Sequence, residues 1–332
     1  MTKAIPETHV LRRHRHMVEI APFKGMIYNK KKIQKLDDVM SPPYDIISEA
    51  MQNELSNKHD YNFVKLILGK ILPDDTDTNN RYTRAKQLFD VWQQHEILLP
   101  SPSPALFPYK VDYAVGKEKK QMNGVFVLLK LDPEYKTVKA HEKTLAKPKE
   151  DRLHLLRACY ANLEPIQLMY MDQDDTIRKT MDAALDAPLI KVKGYDGFTH
   201  QLWRLDDPQA VYAVIDGLAQ KILFIADGHH RYQTSLNYAA EKREQTGNTD
   251  PNAPFNYIMV VLCNMFDPGL SILPTHRFIK MPHVNFDDLS KKLERYFIVE
   301  KKVVHPKEQD PKKIGNAIMN DLKTEHQHKL AL

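Results

Sequence analysis

The stretch Asp227–Arg231, with the sequence Asp-Gly-His-His-Arg, gathers more chemically capable side chains than any other short segment of the chain. An apolar run at 222–225 precedes it and apolar residues at helical spacing follow it, so the pattern predicts a strand, a tight loop and a helix. Gly228 lets the backbone approach a ligand, and the first helical turn offers unpaired N–H groups. Arg231, with its guanidinium expected to reach solvent or ligand, adds a cation. This combination favours binding of an anion, above all a phosphate.

A plainer interpretation assigns these residues no chemistry. His229 and His230 are then surface or capping residues, and Asp227 serves the turn. Short motifs of this kind also occur by chance. However, titratable groups gather at functional sites more often than at ordinary surface, and here four of them follow directly on a hydrophobic strand. A functional site is therefore the favoured interpretation.

The composition is that of an ordinary globular protein. The chain has 332 residues, a length that is enough for two domains. Of these residues 42% are hydrophobic and 27% are charged, and this composition excludes a disordered or collagen-like protein. The formal net charge of +5 is spread along the chain, apart from a basic cluster at His9–His16. This cluster is interpreted as a solvated tail, and nucleic acid is disfavoured as a partner.

The cysteines and the apolar runs indicate a compartment. Cys159 and Cys263 stand far apart and outside any Cys-x-x-Cys arrangement, which favours structural thiols in a reducing environment. No apolar run approaches the roughly 20 residues that a membrane-spanning helix needs, and the N-terminus has no signal-peptide core. We therefore expect a cytoplasmic protein with no membrane partner.

The first 130 residues predict an α/β lobe that follows the basic tail. Pro42 and Pro43 predict an extended turn before Tyr44 and Asp45, and therefore a rigid loop that presents these two side chains. The apolar run Asn62–Leu68 is typical of a buried strand. The pattern at 82–92 is typical of a helix with one buried face. Two β-rich runs, 105–115 and 122–131, joined by a charged bridge at 116–120, predict a hairpin.

Residues 131–332 predict a second lobe, which carries the Asp-Gly-His-His-Arg motif. A loop holds His141 and Glu142, and a helix is expected to begin at Asp151-Arg152 with Leu153, Leu156, Tyr160 and Leu163 as its apolar face. Strands are expected at 166–171, 198–205, 257–262 and 271–279, the last two flanking a type II turn at 267–269. Helices are expected at 174–185, from Asp207-Pro208 onward, and near the end of the chain. The fold class is therefore α/β with a mixed sheet, interleaved helices and hairpins.

Five separated segments together resemble one bacterial and archaeal family, catalogued as domain of unknown function 1015. The segments are SPPYD at 41–45, NFVKLILG at 62–69, HEKT with DR at 141–152, ADGHHRYQTSLNY at 226–238, and DPGLSILPTHR at 267–277. They occur in the expected order over nearly the whole chain, so together they are far more specific than any one alone. The family name itself supplies no activity.

The end of the chain departs from the family pattern. Members usually continue well past the last segment and carry a Met-Pro-x-Lys-Ser-Thr stretch, whereas this chain stops at Leu332 without it. A C-terminally truncated product or a naturally shortened member is implied. Chemistry that relies on that late lysine or serine is not expected here.

A second, local resemblance concerns mechanism. The Gly228–Arg231 element is similar to the Gly-x-His-Arg phosphate-binding turn of the ParB/sulfiredoxin superfamily, which includes free-serine kinases. The resemblance implies that His230 and Arg231 contact phosphate, that Gly228 makes the turn, and that Asp227 takes the place of an acidic residue in the kinases. Position 229 is His where sulfiredoxin has cysteine, so sulfur reduction is disfavoured.

The leading hypothesis is a nucleotide-dependent phosphotransferase that acts on a small hydroxylated molecule such as an amino acid, with ATP or ADP and Mg²⁺. Glu142, Asp227 and His230 are the candidate catalytic residues, and the phosphate is expected on Gly228, His229, His230 and Arg231. Asp227 is also the candidate Mg²⁺ ligand. The supporting residues expected near them are Tyr44, Asp45, His141, His276 and Arg277.

Two alternatives stay open. One is a nucleotide- or anion-binding module without turnover. The other is a metal-dependent hydrolase that uses Asp227, His229, His230 and His276, since carboxylates and imidazoles are suitable ligands. Convergence of the His141-Glu142 loop and of Asp45 on the 227–231 loop favours catalysis, and isolation favours binding.

Overall fold

The computed structural model describes residues 17–142, 146–272, 283–299, 310, 313–317 and 320, with the side chains of 146–148 left aside. The chain forms two compact units, Met1–Ile272 and Leu273–Leu332. The lobe boundary that the sequence predicted near residue 130 lies inside the first unit. Most of the predicted strand at 271–279 lies outside the described residues. His276 and Arg277 also lie outside them.

The first unit combines eleven described strands with seven described α-helices. The strands are β1 (Ile20–Ala21), β2 (Met26–Tyr28), β3 (Leu98–Pro100), β4 (Phe107–Val115), β5 (Glu118–Lys130), β6 (Val138–Lys139), β7 (Ile166–Tyr170), β8 (Ile190–Lys193), β9 (Thr199–Leu202), β10 (Leu223–Asp227) and β11 (Tyr257–Asn264). The helices are α1 (Glu49–Lys58), α2 (Val64–Ile67), α3 (Arg81–Gln94), α4 (Ala146–Cys159), α5 (Thr176–Asp182), α6 (Pro208–Ala219) and α7 (His229–Thr246). In the second unit, Phe286–Leu293 forms α8, where the sequence predicts an amphipathic helix.

One mixed sheet organises the first unit. Its strand order is β6-β10-β7-β11-β5-β4-β9-β8, and β1 also pairs with β5. The pairs β10/β6 and β11/β7 are parallel, and the other pairs are antiparallel. The predicted α/β class with a mixed sheet is confirmed. The core of the sheet is apolar and fully buried. Its residues with 0% exposure include Val125, Val127, Ile166, Leu168 and Val260.

The predicted hairpin is present, but its turn is shorter than expected. Val115 pairs with Glu118, so only Gly116 and Lys117 lie in the turn, and Gly116 has a φ of +62°. A glycine in this conformation suits a two-residue hairpin turn. The charged residues 118–120 therefore extend β5 instead of forming a solvent loop, because their backbone groups can pair with β4.

Residues 62–68 form a helical turn, so the prediction of a buried strand there is wrong. The Asn62 side chain accepts a hydrogen bond from the amide of Val64 at 3.0 Å and donates to the carbonyls of Asp38 and Met40. These bonds close the backbone into α2, whose residues Val64, Leu66 and Ile67 are all buried. A continuous apolar run looks the same in a buried strand and in a buried helical turn, which is why the sequence pattern misled.

Helix α4 begins at Ala146, five residues before the predicted start at Asp151, and its buried face is rotated from the predicted one. Arg152, Leu155 and Cys159 point inward, whereas Tyr160 follows the helix and is 66% exposed. The predicted apolar face of Leu153, Leu156, Tyr160 and Leu163 is therefore wrong. A charged residue takes the inward position because, as shown below, it finds partners there.

The turn at 267–270 is not type II, because Gly269 does not have the positive φ which that turn requires. Its glycine is needed for close approach instead: a Cβ at this position would lie 1.7 Å from the carbonyl oxygen of Gln121. The buried Asp267 carboxylate accepts hydrogen bonds from the amides of Asn123 and Gly269, at 2.7 and 2.8 Å. This motif therefore fastens the chain after β11 to β5.

Candidate functional site

The strand, turn and helix predicted at 222–240 are present. Strand β10 ends at Asp227, Gly228 takes a left-handed conformation with φ of +94°, and α7 begins at His229. A Cβ on Gly228 would lie 2.5 Å from Cγ2 of Ile166 and 3.2 Å from Nε of Arg231. Both the backbone conformation and the lack of space therefore require glycine here.

We expect Gly228→Ala to lower the free energy of unfolding by more than the roughly 1–2 kcal/mol that a left-handed non-glycine residue costs, because Ile166 must also move. Gly247→Ala is the matched control, since Gly247 ends the same helix at φ +65° with no atom within 4 Å of an added Cβ. Urea unfolding of both variants checks this. Equal losses in the two variants would contradict the steric argument.

The His141-Glu142 loop lies beside the first turn of α7. Nδ1 of His229 is 3.4 Å from Oε2 of Glu142, and Nε2 of His229 accepts a hydrogen bond from the His141 amide at 3.4 Å. The rings of His141 and His229 meet edge to face, with centroids 4.5 Å apart. His229 is 4% exposed, while the Glu142 side chain is 59% exposed. The structure thus brings a buried imidazole and an accessible carboxylate together.

Burial lowers the pKa of His229. The charge of Glu142 opposes this lowering, and the charge of His141 adds to it. The ring is therefore neutral near neutral pH. Because Nε2 accepts a hydrogen bond, the ring proton belongs on Nδ1, where it faces the Glu142 carboxylate. The Nδ1–H of His229 is therefore placed to donate toward the Glu142 carboxylate.

The lowered pKa of His229 predicts a pH dependence of stability. The unfolded chain binds a proton near pH 6.5 more readily than the folded chain does, so the free energy of unfolding should fall as the pH drops through that value. His229→Gln should reduce this dependence, and Glu142→Gln should lower the pKa of His229 further. Urea unfolding at pH 8 and pH 5.5, with a ring titration by NMR, measures both. A His229 pKa above 6.5 would contradict the assignment.

Arg231 is buried, so the expectation that its guanidinium reaches solvent or ligand is wrong. The residue is 9% exposed, and Nη2 donates to Oδ2 of Asp227 at 2.6 Å. Nη1 donates to the carbonyl of Pro165. Arg231 therefore ties the start of α7 to β10 and to the segment before β7, whereas the Asp227 side chain stays 60% exposed.

A second buried arginine, Arg152, joins four parts of the chain. Its Nε and Nη2 donate to Oδ2 of Asp151 at 2.8 and 2.6 Å, and its Nη1 donates to the Ile67 carbonyl at 2.9 Å and to Oε2 of Glu164 at 3.0 Å. The guanidinium also lies 4.0 Å from the ring centroid of Tyr44. The Tyr44 amide donates to the other oxygen of Glu164, at 3.0 Å. Helix α4 thereby holds the Pro-Pro-Tyr-Asp turn in place.

The two carboxylates around Arg152 differ in their environment. Burial raises the pKa of Glu164, although the charges of Arg152 and Arg231 and the amide of Tyr44 favour its ionised form. Burial also opposes ionisation of Asp151, but Arg152, Tyr82 and Arg81 outweigh it and hold the pKa of Asp151 below its usual value. Removal of either arginine would therefore raise the pKa of Glu164 further.

The remaining predicted residues are placed as follows. Pro43 is extended, with φ of −56° and ψ of 146°, as the two prolines predict, and Tyr44 and Asp45 follow it in a 3-10 turn, Tyr44–Ile46. The charge of Arg231 acts on the Tyr44 hydroxyl, so this turn lies near α7, but the exposed Asp45 makes no hydrogen bond or ion pair with the described residues of the 227–231 loop. His230 is half-buried. Glu164 was not predicted as a site residue, because its only signal in the sequence is an acidic residue between Leu163 and Pro165.

Metal and thiol chemistry find little support in these side chains. Among the described residues, no group of three or more His, Cys, Asp or Glu side chains is arranged to hold a metal ion. Burial raises the pKa of Cys159 to about 11 and that of Cys263 to about 12, so neither is an activated nucleophile. No helix in the described part of the chain is long and apolar enough to cross a membrane.

These features define a mixed α/β protein with a candidate site where a strand passes through a glycine turn into a helix. Residues 20–331 match the family model described as "Protein of unknown function (DUF1015)", and the chain belongs to that family. No curated protein and no solved structure matches the chain. The local resemblance to the ParB/sulfiredoxin superfamily therefore stays a prediction.

Proposed function

We propose that the protein is a nucleotide-dependent phosphotransferase that acts on a small hydroxylated molecule such as an amino acid. One observation carries the proposal: Glu142, an accessible carboxylate, lies 3.4 Å from the imidazole in the first turn of α7. A base and a phosphate-binding turn are the two parts that phosphoryl transfer needs close together. Here the two parts come from segments distant in the chain, since His141, the neighbour of Glu142, is 88 residues from His229.

The phosphates of ATP or ADP would bind at Gly228 and the first turn of α7. The αL cap at Gly228 has no side chain over the helix end, and the helix is 18 residues long, so its dipole favours an anion there. His230 is assigned a phosphate contact by the same argument. Arg231 is assigned a supporting role, because its guanidinium holds Asp227 and Pro165 while adding positive charge beneath the turn.

The side chain of Asp227 fits a Mg²⁺ ion that accompanies the nucleotide. Mg²⁺ prefers oxygen ligands and is usually held by one or two carboxylates together with substrate phosphates. Asp227 is 60% exposed and uses Oδ2 for Arg231, which leaves Oδ1 for a ligand. When bound, the ion would neutralise phosphate charge.

In the proposed reaction, the acceptor hydroxyl oxygen forms a bond to the terminal phosphorus, and the bond from that phosphorus to the nucleotide breaks. The hydroxyl proton passes to Glu142. His229 is a positioning residue, because its Nδ1–H faces Oε2 of Glu142 at 3.4 Å and orients the carboxylate toward the acceptor. The nucleotide leaves with one phosphoryl group fewer.

A second candidate function is nucleotide or anion binding without turnover. It is favoured because the guanidinium groups of Arg231 and Arg152 both donate their hydrogen bonds to acceptors within the protein. Phosphoryl transfer usually employs a cation that faces the transferred group. The metal-dependent hydrolase is not carried forward, since His276 lies outside the described residues and the others form no ligand group among those described.

We expect Glu142→Gln to abolish phosphoryl transfer while nucleotide binding is kept, because glutamine keeps the size of glutamate but cannot take a proton. Glu118→Gln is the control, since Glu118 is exposed and lies at the hairpin turn. The measurements are phosphate transfer with ATP, ADP or CTP and Mg²⁺, and the thermal shift that each nucleotide causes.

Three outcomes separate the candidates. Full activity in Glu142→Gln with loss in Asp227→Asn would move the base to Asp227. A nucleotide-dependent rise in the unfolding midpoint without any turnover in the unmodified protein would favour the binding module. Absence of both turnover and thermal shift would refute the two candidates together.

A further inference from the structure

A groove separate from the 227–231 loop lies between the start of α1 and the chain that follows α2. Its volume is about 370 Å³, within the range of small-molecule sites. One wall includes Ser48, Glu49 and Gln52, and the other includes the segment 68–71 and Arg81. Neither Glu142 nor His229 lines it, so it is distinct from the site of the proposed transfer.

The wall formed by 67–71 is held in place through its carbonyl groups. Three side chains from α1, α3 and α4 donate to three of these carbonyls. The pairs are Gln52 with Leu68 at 2.7 Å, Arg84 with Lys70 at 2.8 Å, and Arg152 with Ile67 at 2.9 Å. The backbone of this wall is therefore ordered before any ligand binds, which lowers the entropic cost of binding.

The amide groups of the same wall have no such partners. The N–H groups of Gly69, Lys70 and Ile71 donate to no acceptor among the described residues. The Lys70 ammonium also has no ion-pair partner within the described ranges. Unpaired amides beside a free cation recognise an anionic group such as a carboxylate.

The opposite wall carries the opposite charge. Glu49, in the first turn of α1, is exposed and forms no ion pair with described residues. Arg81, on the Lys70 side, is kept in position by Asp151 and by the Tyr82 hydroxyl. A purely anionic ligand would be repelled by Glu49, whereas a ligand with an ammonium group as well would be attracted.

We infer that this groove binds a small zwitterion of the free α-amino acid class. The carboxylate lies against the amides of 69–71 and Lys70, and the ammonium group lies against Glu49. The apolar residues Ile47 and Ile71 in the lining leave room for a side chain. This binding needs neither nucleotide nor Glu142, so it goes beyond the proposed phosphoryl transfer.

Amide NMR shifts of the full chain test this inference, with L-leucine and L-glutamine as zwitterions. N-acetyl-L-leucine lacks the cation, L-leucinamide lacks the carboxylate, and inorganic phosphate is a plain anion. We expect the amides of Gly69 and Lys70 to shift with the zwitterions, and each of the other three probes to bind at least tenfold more weakly. Lys70→Ala and Glu49→Gln should each weaken zwitterion binding by a similar factor.

The control is Glu54→Gln, an exposed change on the same helix, which should bind L-leucine as the unmodified protein does. No shift at Gly69 with either zwitterion would overturn the inference. Equal binding of N-acetyl-L-leucine or of phosphate would also overturn it, because Glu49 would then have no role. Loss of transfer activity in Glu142→Gln with unchanged L-leucine binding would separate the groove from the proposed reaction.

Discussion

The buried guanidinium of Arg152 is the constraint on which the candidate site depends. Charge in a protein interior is costly unless it is fully paired, and this group has Asp151, Glu164 and the Ile67 carbonyl within 3.0 Å and the Tyr44 ring 4.0 Å from its centre. Ile67 and Tyr44 come from segments that are distant in the chain, whereas Asp151 is the neighbour of Arg152. Burying one arginine therefore fixes the relative positions of α4, the end of α2 and the Pro-Pro-Tyr-Asp turn at once.

The rest of the polar network extends from this arginine in two directions. Toward α3, Asp151 also binds Arg81, which forms part of the groove wall. Toward α7, the charges of both Arg152 and Arg231 act on Glu164, and Arg231 pairs with Asp227 beneath the glycine turn. The groove and the 227–231 loop thus share one set of alternating charges. At the start of α7, the buried His229 contacts Glu142, whose exposed side chain a ligand can reach.

The sequence predicts those parts of this arrangement that are local. The strand, glycine turn and helix at 222–246 follow from apolar runs around Gly228, and the Asp207-Pro208 helix start follows from capping chemistry, with the Asp207 carboxylate accepting from the Ala210 amide at 2.8 Å. The errors have a common cause. The inward face of α4 and the helical turn at 62–68 are decided by distant partners, Glu164 and Tyr44 for Arg152, and Asp38 and Met40 for Asn62. A single sequence does not display such pairings.

The most direct test is a double-mutant cycle between Arg152 and Glu164. Arg152→Met should lower the free energy of unfolding by about 3–5 kcal/mol, because it leaves Glu164 buried without its main partner. Glu164→Gln should then cost less in the Arg152→Met background than alone. On the same helix, Arg157→Met breaks an ion pair with Glu241 in which the arginine is 42% exposed, and should cost about 1 kcal/mol or less. An Arg152→Met loss no larger than that of Arg157→Met, or strict additivity with Glu164→Gln, would contradict the central role of Arg152.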